Sequence, residues 1–187
     1  MMMNTRTFVT MSAACMLTAA LTATIAAQTP ARGQDPKPMP PQSMKMAATD
    51  MDFINKAAHA GVKEADLAQL AIRTSKMPAL VAAANKIKTD HDAANVELMA
   101  LAKRKVHTPT ALTAAEKTQA HGKIASLKGA DFDKEWIAMM IKDHEDAIAL
   151  FTSAASSADP DIAAYATKTL PALKEHLKTV QALVVIQ

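Results

Sequence analysis

The sequence predicts an all-α fold: a ferritin-like four-helix bundle with a long crossover between its second and third long helices. Three observations predict it. Half of the 187 residues are apolar, yet only 3% are aromatic and 4 are glycine, and Ala, Leu, Lys, Glu and Met are in excess. Apolar residues recur at alternating spacings of four and three in four separate stretches, marking one buried face on each helix. The connection between the second and third stretches is far longer than the other two, as in bundles with a single central crossover. A plain up-down-up-down bundle is the alternative, should the crossover pack at one end. The length suits one domain with a sizeable core rather than two.

Taken in order, residues 1–27 read as a signal peptide. Arg6 supplies the positive start, residues 8–27 are apolar, and Thr24-Ile25-Ala26-Ala27-Gln28 offers small residues for cleavage near Ala26 or Ala27. An uncleaved run of about 20 such residues is long enough to span a bilayer, but its Thr and Ala content favours cleavage. Cleavage implies a periplasmic or secreted protein with no membrane span. Cys15, the single cysteine, leaves with the peptide, so the mature chain has no disulfide and no thiolate ligand. Arg6 is lost from the 21 basic residues, leaving 20 against 18 acidic ones. That weak, dispersed charge has no Lys/Arg block with interleaved aromatics, which excludes nucleic acid as an expected partner.

Residues 28–48 hold five of the 9 prolines (Pro30, Pro36, Pro38, Pro40, Pro41) and predict a disordered Pro/Met-rich tether. Met39, Met44, Met46 and Met51 lie in it or just beyond. Thioether clusters can take Cu(I), though a disordered leader with incidental methionines is the simpler reading. The helical domain then occupies 49–187. Its first helix starts with Thr49 or Asp50 as N-cap and runs to about Ser75. Pro78 opens the second, which runs to about Lys105. Thr113-Ala114-Ala115-Glu116 is a capping box, predicting a crossover helix of about 15 residues that ends near Gly129. The third long helix covers 131–156. Asp159-Pro160 caps and starts the fourth, where Pro171 should produce a kink.

Each long helix carries a polar residue on its apolar stripe. Glu64 follows Phe53, Ala57 and Ala60. His91 interrupts Leu80, Ala84, Ile87 and Ala94, Leu98. His144 stands between Met140 and Ala147, and His176 between Leu173 and Val180. All four fall near mid-helix, so they meet at one height whichever way the helices run. A buried carboxylate with imidazoles must be satisfied. Three resolutions are open: a transition metal (iron, zinc, copper or manganese) held by Glu64, His91, His144 and His176; a hydrogen-bonded polar core; or a helix phase that leaves the histidines at the boundary. Asp90 and Asp143 are candidate acceptors behind the histidines, or ligands if the helices rotate. His59, His107 and His121 read as surface residues.

These residues also carry a resemblance. Asp52-Phe53 with Glu64, Lys88-Thr89-Asp90-His91 with Asn95 and Leu98, Asp131-Phe132-Asp133, Asp143-His144-Glu145, and Leu170-Pro171 with His176-Leu177 are the matching pieces. Together they resemble a bacterial family of exported ferritin-like proteins, domain-of-unknown-function family 4142, over about residues 50–183. The resemblance implies export and a four-helix ferritin-like fold, but no activity. Di-iron bundles carry Glu-x-x-His on two helices. Here Lys88, Ile141 and Leu173 stand three residues before the histidines, so a mononuclear or atypical site is expected instead of a bridged pair.

Three functions follow as expectations. The first is an exported metal-binding bundle for metal handling or stress defence. The second is a non-enzymatic cell-envelope interaction module with a structural polar core, whose protein partner the sequence does not specify. The third is a small redox or peroxide-handling enzyme. No Ser-His-Asp set, phosphate loop or zinc-finger spacing points to other chemistry.

Overall fold

The computed structural model describes residues 46–186. The expected signal peptide (1–27) lies outside the described residues, as does the expected tether up to residue 45. Four long helices account for most of the chain: α1 (Ala48–Thr74), α2 (Pro78–Arg104), α4 (Gly129–Ala154) and α5 (Pro160–Leu183). A short α3 (Ala114–His121) and a 3₁₀ turn (Gly122–Ser126) lie in the crossover, and no strand occurs among the described residues. The all-α expectation holds, with the long crossover where it was expected.

Side-chain contacts fix the wiring. Ser157 Oγ donates to Asp50 Oδ1 at 2.7 Å, bringing the α4–α5 turn to the start of α1. Lys105 pairs with Asp159 and Asp161, each at 2.7 Å, bringing the end of α2 to the start of α5. The crossover therefore carries the chain back along the full bundle, so that α4 runs antiparallel to α1. α1 packs on α2 and α4, and α5 packs on α4 and α2.

Local chemistry explains most helix ends. Pro78 occupies the first turn of α2, where its missing N–H leaves nothing unpaired. Asp159 Oδ1 accepts from the backbone of Asp161 and Ile162 at 3.0 and 3.4 Å, capping α5. Thr113 and Glu116 form the reciprocal capping box of α3.

Three expectations are corrected. α1 starts after Ala47 with no side-chain cap, because Asp50 is buried and engaged across the bundle end by Ser157. α3 stops at His121, well short of Gly129, because Gly122 adopts a positive φ of 38° that ends the helix. His59, His107 and His121 are half-buried rather than on the surface. The crossover's return along α1 engages two of them: His59 Nε2 of α1 meets Thr110 O of the crossover at 2.6 Å, and His107 Nε2 of the crossover donates to Asn55 Oδ1 of α1 at 3.0 Å. The α5 helix continues through Pro171 without a break.

The core comes in two parts. At the end holding the α4–α5 turn, Phe53, Ile54, Leu98, Leu101, Phe151 and Ile162 pack together. Toward the other end lie Leu67, Leu80, Ile87, Phe132, Trp136 and Val180, with Ile124 of the crossover closing them over. Trp136 is fully buried, and its indole N–H is satisfied by Leu67 O at 3.0 Å. The polar residues lie between the two parts.

Candidate metal centre

All four expected site residues are buried side by side. Glu64 comes from α1, His91 from α2, His144 from α4 and His176 from α5, each from the core stripe of its helix. Their exposures are 1%, 7%, 0% and 2%. The boundary reading is thereby excluded. The imidazole centroids are 5.3 to 5.7 Å apart, and one nitrogen from each ring lies within 4.8 Å of the others. Glu64 Oε2 lies 3.2 Å from His91 Nε2 and 3.3 Å from His144 Nε2.

The backs of two rings are fixed. His144 Nδ1 lies 2.8 Å from Met140 O; a carbonyl only accepts, so Nδ1 carries the proton. In the neutral ring Nε2 then presents a bare lone pair to the Glu64 carboxylate. His176 Nε2 donates to Asp90 Oδ2 at 2.7 Å, an oxygen that Lys86 also holds at 2.7 Å. That leaves His176 Nδ1 as an inward lone pair. Asp90 is thus an acceptor behind a histidine, the first of the two roles considered for it. Carbonyl and carboxylate acceptors of this kind orient metal-binding imidazoles.

Protonation sharpens the conflict. Burial pushes His144 below the ordinary imidazole value, with the Glu64 charge opposing. Burial likewise brings His176 down to about 4, against the stabilising Asp90 bond. Burial pushes Glu64 upward, but the approach of His91 and the charges of His91, His144 and Lys63 outweigh it and hold the carboxyl below its usual range. Near neutral pH the layer holds a carboxylate facing at least one imidazole lone pair.

Hydrogen bonding does not resolve this. Glu64 Oε2, His91 Nε2, His144 Nε2 and His176 Nδ1 are all buried without a hydrogen-bonding partner. The Glu64 contacts are close but misaligned. Buried polar atoms left unpaired each cost about 1–3 kcal/mol, and for the Glu64 oxygen and the His144 and His176 lone pairs something electropositive among them removes that cost. A cation satisfies carboxylate and imidazole lone pairs together, so the donor set fits a transition-metal ion. A cavity of about 40 Å³ adjoins the layer, lined by Glu64, His91 and His176 along with Phe151 and Tyr165. His144 itself does not line it, but Ala147 and Phe151 of the same helix do.

The metal-free protein should lose stability on acidification. The unfolded chain takes up a proton on His176 near 6.5, whereas the folded chain resists protonation until about 4. The unfolded state therefore binds more protons between these values. The contribution is complete above pH 6.5 and is lost as pH falls toward 4, about 3 kcal/mol for a fully buried ring. His144 shifts in the same direction and adds to the loss. Thermal unfolding of metal-free protein at pH 7.5 and pH 4.5 measures this, and a flat melting temperature contradicts it.

Fold and site define a four-helix bundle interrupted by one layer of three histidines and a glutamate. The chain belongs to the family described as "Domain of unknown function (DUF4142)", whose model matches residues 35–183. No curated protein matches the sequence. Solved structures share the fold. A DUF305 fragment from Deinococcus radiodurans aligns with a TM-score of 0.66 and 14% identity, covering 75% of this chain and 98% of that one. CopM in its Cu(I)-bound form aligns with a TM-score of 0.61 and 19% identity, covering 73% and 96%. CopM in its Cu(II)-bound form gives 0.59 and 17%, covering 74% and 97%. No helix among the described residues is long and apolar enough to cross a membrane.

Proposed function

We propose that this protein is an exported transition-metal-binding bundle, with Glu64, His91, His144 and His176 as ligands to a single ion. The observation that carries the reading is the set of unpartnered, buried carboxylate and imidazole atoms, one from each long helix of the bundle, gathered in one layer. A polar core built for structure alone would pair its own donors and acceptors. The antiparallel wiring with one full-length crossover supports a ferritin-like classification, and export rests on the sequence of residues 1–27. The handling of a metal is further supported by a neighbour of the same fold whose structures hold Cu(I), Cu(II) and silver.

Three imidazoles and one carboxylate form a borderline donor set, with no thiolate to favour a soft ion. Such sites follow the general order in which Cu²⁺ binds most tightly, with Zn²⁺ ahead of Fe²⁺ and Mn²⁺ last. Competition titrations of metal-free protein at pH 7.5 should reproduce that order. A site that prefers Mn²⁺ to Cu²⁺ would overturn this ligand set, because it would require more oxygen donors than the one carboxylate of the layer.

A further inference from the structure

A groove of about 370 Å³ runs between α1 and α4, lined by Lys56, Lys63, Asp143, Asp146 and Leu150, with Ala60, Glu64 and Ala147 at its floor. The same three floor residues also line the cavity beside the histidines. Two alanines and one carboxylate are thus common to the groove and to the cavity beside the polar layer. Small side chains at Ala60 and Ala147 keep the wall between the two thin, and Glu64, 1% exposed, has an unpartnered oxygen and faces both sides.

The carboxylates of the groove are not equivalent. Asp146 is held by Lys142 at 2.6 Å. Asp143 Oδ1 is paired with Lys63 at 2.8 Å, but its Oδ2 is buried with no hydrogen-bonding partner. Among the described residues, three carboxylate oxygens are buried and unpartnered in this way. Two of them, on Asp143 and Glu64, belong to this groove. On the α2–α5 side, by contrast, Asp90 is occupied by both His176 and Lys86.

We infer that the α1–α4 groove is the route by which a transition-metal cation reaches the layer, with Asp143 as a transient ligand that passes it to Glu64. The arriving cation displaces the Lys63 ammonium from Asp143, so one positive charge replaces another on the same carboxylate. Lys63 then acts as a latch, and Ala60 sets the width of the passage. This inference rests on the proposed metal site, and its test separates rate from endpoint.

Metal-free full-length chain is mixed with Cu²⁺ alone in a stopped-flow cell, and the visible absorption of the bound ion is followed. Asp143→Asn should slow uptake about tenfold, the low end of the 10- to 1,000-fold by which a charged cleft as a whole raises the rate of capture. Its final absorbance should match that of the unsubstituted protein. Lys63→Met should speed uptake, and Ala60→Leu should slow it, again with unchanged endpoints. Ala60 and Lys63 are half-buried rather than core residues, and far-ultraviolet circular dichroism verifies that each variant is folded. Rates within about twofold of the unsubstituted protein for Asp143→Asn and Ala60→Leu, at full endpoint, would overturn the route, being far below the focusing effect expected. An altered final spectrum in Asp143→Asn would overturn the transient role by making Asp143 a resident ligand. An unsubstituted protein that takes up no Cu²⁺ fails at the endpoint, which rejects the metal site itself and the route with it.

Discussion

His144→Ala should weaken metal binding by two to three orders of magnitude while leaving the bundle folded. Four-ligand sites bind Zn²⁺ with apparent free energies of about 10–16 kcal/mol, so one ligand accounts for about 3–4 kcal/mol, or 100- to 1,000-fold. His144 is the most informative position because it is fully buried and its tautomer is fixed by Met140 O. Its inward nitrogen has no other partner in the structure. Removing the ring also removes a lone pair aimed at a carboxylate, which offsets part of the loss from the space left behind. Isothermal titration of the variant beside the unsubstituted protein measures the effect. Equal affinities would mean that the ion, if bound, sits elsewhere.

The second large effect concerns stability. Replacing Glu64, His91, His144 and His176 together with leucine should give a metal-free protein at least as stable as the original. Buried polar clusters exchanged for apolar side chains of similar volume are often neutral or stabilising by about 1–4 kcal/mol. The two halves of the core would then merge into one, since the layer is what separates Leu98 and Phe151 from Ile87 and Met140. The unsubstituted protein should in turn gain stability from metal. At a free-ion concentration 100 times the Kd the gain is about 2.7 kcal/mol, which raises the melting temperature of a domain this size by about 10 °C. The leucine variant should show no such response. If it fails to fold, the layer specifies the bundle's register, and the structural polar core becomes the better reading.

The sequence showed the fold because its signals are local. Four apolar stripes, Pro78, Asp159-Pro160 and the Thr113–Glu116 box each act within a few residues, and each acts in the structure as its chemistry requires. The four site residues were legible for a related reason: a polar group on a core stripe breaks a period that is visible without any tertiary contact. What lay beyond reach depends on distant partners. Asp90 was legible as an acceptor behind a histidine, but nothing near it in the chain announces that this histidine is His176, 86 residues away. Similarly, Asp50 resembles an N-cap until Ser157 arrives from the opposite end of the domain. His59 and His107 looked like surface residues because the path of the crossover along α1 is set by the packing of all four helices. The α3 boundary failed for a subtler reason. Both Gly122 and Gly129 are plausible helix terminators, and both take positive φ, but only the first ends a helix.

The most direct test of the account is the metal content of the protein purified without a histidine tag, exposed in turn to iron, zinc, copper and manganese, and freed of loose ions by dialysis. Elemental analysis should find about one transition-metal ion per chain, as a single four-ligand site requires, and close to none in His91→Ala and His144→Ala. Protein that stays metal-free after all four exposures, with an unchanged melting temperature, would contradict the account and leave the histidine layer as a structural core.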